Sequence, residues 1–185
     1  MNIVFFGCTS FSEKILKELI KIKHINIEAI FSIPSDFSIS YNKEKVKNTN
    51  FKDLSIYSDQ LEIPIYWVES KKGKKITNYS STIKKINPDI ILVMGWYYMV
   101  PKEIREIAKY GAWGIHASIL PNYAGGAPLV WAIIEGQNST GVTLFRLSNG
   151  VDDGDIISQE EFIIEENDTI REVYEKATVS SVNLL

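Results

Sequence analysis

The chain has 185 residues, 45% of them hydrophobic, which is enough for one well-buried core and short of two full-size domains. A formal charge of -3 argues against a protein that lives mainly on a polyanion, so nucleic acid is not the expected partner. Cys8 is the only cysteine, which excludes a disulfide framework or a thiolate cluster for zinc and fits a reducing cytoplasm; no leader pattern and no membrane-length apolar run is present.

Asn2 to Gly7 is an apolar run closed by glycine, and Ser10-Phe11-Ser12-Glu13 has the spacing of a capping box, so strand, turn and helix are predicted in succession. Ile15, Leu16, Leu19 and Ile20 recur at helical spacing, and Asn26 to Phe31 reads as a second strand, completing a βαβ unit. Ile33 to Asn50 has no sustained period and is expected to be a long mobile loop. A short helix is predicted over Phe51–Gln60, a strand over Ile63–Val68 and a helix over Ile76–Ile86 that stops before Pro88.

Asp89 to Gly95 is the most continuous apolar run and is expected to be a central parallel strand buried on both faces. Pro101 is placed as the first residue of a helix reaching Lys109, followed by a strand at Ala112–His116 and a helix at Ala127–Glu135. Two more strands are predicted at Gly141–Leu147 and Ile156–Ile164. The capping box Thr169–Glu172 opens a last helix still running at Leu185, as in a chain cut from something longer. The alternation implies one α/β domain over residues 1–185, a doubly wound and mostly parallel Rossmann-like sheet. Ligands in such folds gather beyond the carboxyl ends of the strands, which points to Gly7–Ser12, Gly95–Val100 and His116–Gly126.

Of the two histidines, His24 follows a lysine-rich helix end and reads as solvated, whereas His116 stands at the carboxyl end of a predicted strand, facing a loop with Pro121, Gly125, Gly126 and Pro128. The turn Gly150-Val151-Asp152-Asp153-Gly154-Asp155 is open to two readings, a solvated acidic turn or a source of a carboxylate that orients His116. Its oxygen-donor spacing for a calcium loop is incomplete.

Four segments carry a resemblance: His116-Ala117-Ser118-Ile119-Leu120-Pro121-Asn122-Tyr123, Gly125-Gly126-Ala127-Pro128, Gly141-Val142-Thr143 and Asp152-Asp153-Gly154-Asp155. With Phe6-Gly7-Cys8-Thr9-Ser10-Phe11 and the stretch from Pro88 to Pro101, they make essentially the whole chain resemble the formyltransferases that use 10-formyltetrahydrofolate. The resemblance implies that His116 is the catalytic base, that Asp152 pairs with it, and that no metal takes part. It places Gly114 where the family has an asparagine whose amide donates to the oxyanion, with Ser118, Asn122 or a backbone N–H as substitute donors. Ala124 stands where the family has arginine.

The resemblance further implies that the pterin of 10-formyltetrahydrofolate is held by Met94, Trp96, Tyr97, Tyr98, Met99 and Val100 together with Asn149, Gly150, Val151 and Asp152, mainly through backbone groups. Gly7, Cys8, Thr9 and Ser10, at a helix N-terminus with outward N–H groups, and Ser118, Asn122, Tyr123 and Gly125 are the expected acceptor-binding residues. The acceptor favoured by motif wording and length is a nucleotide-linked amino sugar, such as a dTDP-4-amino-4,6-dideoxy sugar of lipopolysaccharide biosynthesis, with a homodimer compatible with that role. The alternatives are the core of a methionyl-tRNA formyltransferase, or a folate-binding relative with weak or no turnover because of Gly114. The dense lysines Lys71, Lys72, Lys74 and Lys75 read as a solvated loop.

Overall fold

Val4, Phe5, Phe6, Ala29, Ile30 and Phe31 are fully buried, as expected for neighbouring strands covered on both faces. A computed structural model describes residues 1–37, 46–69 and 75–185 and divides them into two compact units, Met1–Ala112 and Trp113–Leu185. Lys71, Lys72 and Lys74, and the middle of the expected mobile loop, lie outside the described residues.

The first unit alternates β1 (Asn2–Phe6), α1 (Ser10–Leu19), β2 (Asn26–Ser32), β3 (Asp36–Phe37), β4 (Val46–Lys47), α2 (Ser55–Leu61), β5 (Ile65–Trp67), a 3-10 turn at Ile76–Tyr79, α3 (Ser80–Ile86), β6 (Ile90–Val93) and α4 (Lys102–Arg105). Its sheet runs β5-β2-β1-β6 with every pairing parallel, so the α/β expectation holds here. Helix α1 buries Ile15, Leu16 and Leu19, each worth on the order of 1.5–3 kcal/mol in apolar surface removed from water.

Several expectations are corrected in this unit. Helix α1 is capped by Thr9, not Ser10: the Thr9 side chain accepts from the Ser12 N–H, and the Ser12 side chain answers at the Thr9 backbone. The described ends of the 33–50 stretch are not structureless, since β3 pairs with β4 and Asn48 is buried between hydrogen bonds. Helix α4 stops at Arg105 instead of Lys109, because Lys109 N–H donates to Pro88 O and Tyr110 N–H to Asp89 O, which draws the chain out of the helical ladder. Pro101 is the N-cap of that helix, one position before its expected place.

The second unit holds all of β7 (Ala112–His116) but its first residue, then α5 (Pro128–Ile134), β8 (Ser139–Arg146), β9 (Ile156–Ile163) and α6 (Ile170–Asn183). Strands β7, β8 and β9 pair antiparallel in that order. Leu129 of α5, Val142 of β8 and Val173 and Ala177 of α6 form its core cluster. The Thr169–Glu172 capping box opens α6 as the spacing predicts, and the helix ends at Asn183 with Leu184 as its C-cap. No helix among the described residues is long and apolar enough to cross a membrane.

Candidate active site

In the second unit the sequence at Ala112–His116 alternates small and large residues on a buried strand, and His116 ends it directly across from Thr143 of β8. The chain then leaves the ladder and turns through Ser118, the cis peptide Leu120–Pro121 and Tyr123 toward α5. Tyr123 adopts a left-handed φ of 54° and Gly125 one of 104°, so the loop folds back on the strand end. The Tyr123 carbonyl comes to 2.8 Å from His116 Nε2.

Asp152 arrives from the turn between β8 and β9. That turn is tight enough that a Cβ on Gly154 would sit 1.7 Å from the Arg146 carbonyl oxygen, which only glycine tolerates. Asp152 itself takes a left-handed φ of 51°, a conformation that aspartate accepts more readily than most residues. Its Oδ2 lies 3.3 Å from His116 Nδ1 and accepts the Gly125 N–H at 2.9 Å. The side chains of His116 and Asp152 are 10% and 22% exposed, so both are sheltered yet reachable. His116, Asp152, Tyr123 and Gly125 are therefore brought together at the end of β7.

A carbonyl oxygen can only accept. The same holds for the Asp152 carboxylate, so both imidazole nitrogens face acceptors, Nε2 the Tyr123 carbonyl and Nδ1 Asp152: a neutral ring donates to one of them, and a ring that has taken up a proton donates to both. Asp152 would face the resulting N–H and offset its charge.

One expected binding role changes here. Ser118 is fully buried and its hydroxyl donates to the Asn122 carbonyl at 2.6 Å, so that hydroxyl is committed within the loop and not offered to an oxyanion or an acceptor. Asn122 is exposed beside it, its carbonyl engaged by Ser118. Gly114 is buried in β7 across from Phe145, two residues before His116 and on the same face of the strand.

The first unit holds the other expected binding segments. The N–H groups of the Gly7–Ser10 turn are all taken internally: Gly7 donates to Phe31 O, Cys8 and Thr9 to Ser12 Oγ, and Ser10 to Asn50 O. The outward donors expected there for an acceptor anion are thus removed by local and long-range bonding, and Cys8 and Thr9 are buried.

What the turn does instead is support the end of β6. Ser12 Oγ donates to Met94 O at 2.5 Å, the Cys8 thiol donates to Gly95 O at 3.3 Å, and a Cβ on Gly95 would stand 2.2 Å from Thr9 Oγ1. Gly95 also has a φ of 66°, so both space and backbone demand glycine.

Beyond it, Trp96 and Tyr98 pack against the core cluster of Cys8, Ile33 and Phe37, and the Trp96 ring lies tilted against Phe6 with centroids 5.0 Å apart. Both residues are partly buried against that cluster. Tyr97 and Met99 are exposed. Trp96 Nε1 is nevertheless a buried donor without a hydrogen-bond partner among the described residues.

Asn48 was missed because it sits in a stretch without periodicity. Its amide donates to the Cys8 carbonyl at 3.2 Å and its Oδ1 accepts from the Tyr97 hydroxyl at 3.0 Å and from the Asn50 N–H. Burial pushes the Cys8 thiol up to about 12. Among the described residues, no group of three or more His, Cys, Asp or Glu side chains could hold a metal ion.

A parallel strand-helix unit and a sheltered histidine-carboxylate pair at the end of a strand define an α/β protein with a site suited to moving a proton. The profile of the family described as formyl transferase matches residues 1–185, and the chain belongs to that family. It is 33% identical over 185 residues to a methionyl-tRNA formyltransferase of Caldicellulosiruptor saccharolyticus, covering 100% of this chain and 57% of that protein. It is 35% identical over 187 residues to one of Rickettsia rickettsii, covering 100% and 58%. The chain thus spans little more than half the length of these curated relatives.

Its fold is similar to that of phosphoribosylglycinamide formyltransferase from Bacillus halodurans, with a TM-score of 0.79 at 20% identity over 100% of this chain and 91% of that one. A formyltetrahydrofolate deformylase from Pseudomonas syringae aligns with a TM-score of 0.76 at 18% identity over 99% and 59%. The formyltransferase fold expected from the motifs is therefore the observed one.

Proposed function

We propose that residues 1–185 form a catalytic domain that transfers a formyl group from 10-formyltetrahydrofolate to an amine, with His116 as the base and Asp152 as its partner. The observation that carries this reading is the placement of the Asp152 carboxylate 3.3 Å from His116 Nδ1 at the end of β7, in a chain of the formyl transferase family. The attacking amine forms a bond to the formyl carbon and loses a proton, while the bond from that carbon to the folate nitrogen breaks. The products are a formamide and tetrahydrofolate. His116 receives the amine proton, Asp152 holds the imidazolium in register, and the proton is returned to the leaving nitrogen.

Met94–Val100 suits a folate ring in one respect, since the segment carries the unpartnered Trp96 Nε1 donor. Bound there, 10-formyltetrahydrofolate supplies an activated formyl carbon. Asn149–Asp152 is the second segment assigned to it by the family resemblance.

For the acceptor, the curated relatives are named for methionyl-tRNA, which supports methionyl-tRNA over the nucleotide-linked amino sugar. The length argument for a sugar loses its force, because relatives of greater length match this chain end to end. The test is incubation with 10-formyltetrahydrofolate and, separately, methionyl-tRNA, glycinamide ribonucleotide and 3-amino and 4-amino sugar nucleotides, with mass detection of one added formyl group. Transfer to methionyl-tRNA is expected, and transfer to a sugar nucleotide alone would reverse the choice. Saturable folate binding without transfer to any acceptor would identify a binding relative.

A further inference from the structure

A ring of hydrogen bonds closes around residues 95–97, and Asn48 joins its two sides. The Asn48 amide donates from Nδ2 to Cys8 O at 3.2 Å, the Cys8 thiol donates to Gly95 O at 3.3 Å, and the Tyr97 hydroxyl donates to Asn48 Oδ1 at 3.0 Å. Asn48 is itself buried and held from behind: its N–H donates to Ser35 O at 2.7 Å, its carbonyl accepts the Phe51 N–H at 3.2 Å, and its Oδ1 also accepts the Asn50 N–H at 3.0 Å. These partners fix the orientation of the amide. Turned over, it would set its NH2 against the Asn50 donor and its oxygen against the Cys8 carbonyl.

Tyr97 is pinned at its hydroxyl and packed on one side by Phe37, with ring centroids 4.9 Å apart, while 44% of the residue stays exposed. Between the two anchored residues Gly95 and Tyr97 lies Trp96, whose buried Nε1 has no hydrogen-bond partner among the described residues. We infer that Asn48 is a positioning residue for the segment proposed to hold the folate. By fixing Tyr97, and Gly95 through Cys8, it sets the path of the backbone between them and the direction of the Trp96 donor. A pterin edge recognised mainly by backbone groups needs that path set in advance, because a segment ordered only by the ligand would cost affinity. The inference rests on the proposed assignment of Met94–Val100 to the folate.

The probe is tetrahydrofolate, whose binding needs neither acceptor nor turnover and is measured by calorimetry. Tyr97→Phe removes only the hydroxyl of a half-exposed ring, and Asn48→Ala removes both arms of the link. Each is expected to raise the Kd about tenfold. The double variant should bind no more weakly than Asn48→Ala, because both changes cut the same connection. In the transfer assay the KM for 10-formyltetrahydrofolate should rise in parallel while kcat and the KM for the acceptor hold, a split that a general loss of folded protein would not give.

If Asn48→Ala does not fold, Tyr97→Phe carries the test by itself. A Kd unchanged in Tyr97→Phe, or single effects that multiply in the double variant, would overturn the role of Asn48 and leave the folate reading intact. A wild type that binds no tetrahydrofolate would instead remove the folate reading, and the inference with it.

Discussion

One carboxylate oxygen of Asp152 stands 3.3 Å from His116 Nδ1 and accepts the Gly125 N–H as well, so the acidic turn and the loop after β7 are tied together through the same atom. The geometry gives the carboxylate two duties, holding the loop and facing the imidazole. Asp152→Asn preserves its size but removes the charge that would stabilise a protonated ring. Formyl transfer should fall by about 100-fold or more, as should that of His116→Ala, while folate binding by fluorescence titration persists. Turnover within a fewfold of wild type in both variants would show that the pair is structural.

Gly114 lies on the face of β7 that carries His116, one side-chain repeat of roughly 6.6 Å away. Gly114→Asn places an amide donor there, beside the buried Phe145 on the neighbouring strand. A gain in kcat of about tenfold or more is expected if the developing oxyanion lacks a donor in the native site. A loss of rate with a lowered Tm would show instead that Phe145 occupies the space.

The Cys8 thiol is fully buried, donates to the Gly95 carbonyl and is pushed up to about 12 by desolvation. Thiolate, the reactive form, is then scarce at neutral pH. Native protein should resist iodoacetamide at pH 7.5 for hours and label within minutes in denaturant, as mass spectrometry would show. Rapid native labelling would mean that the β1–α1 turn opens readily.

At the start of α6, the Lys176 ammonium donates to Asp168 at 2.6 Å and the Glu165 N–H adds a second bond, which together hold the Asp168 carboxyl below the ordinary carboxylate range. A carboxyl lowered by folding contributes stability that is present above its unfolded value, about 4, and lost as pH falls through the folded value. Asp168→Asn should therefore lower Tm most at neutral pH, with the gap to wild type closing toward pH 2. A gap that stays constant across that range would assign the effect to packing.

Much of this was legible in the residues themselves. The apolar run before Gly95 and the small-large alternation at Ala112–His116 depend on burial, which a local pattern records, and they appear as β6 and β7. The Thr169–Glu172 capping box closes within four residues and was equally readable. His116 and Asp152 could be paired by family resemblance, although no local pattern carries their separation.

The tertiary structure alone decided matters that turn on partners distant in the chain. A helix N-terminus offers free N–H groups by default, but Phe31 and Asn50 take those of Gly7 and Ser10, so the expected anion site is closed. Trp96 and Tyr98 could have stood free or packed on a core, and the position of Phe37 set them partly buried against its cluster. Which oxygens face the two imidazole nitrogens of His116 followed from where Tyr123 and Asp152 meet the end of β7. The physical reason is common to all three: propensity and periodicity are properties of a segment, whereas the satisfaction of a buried donor or acceptor is settled only when the segments meet.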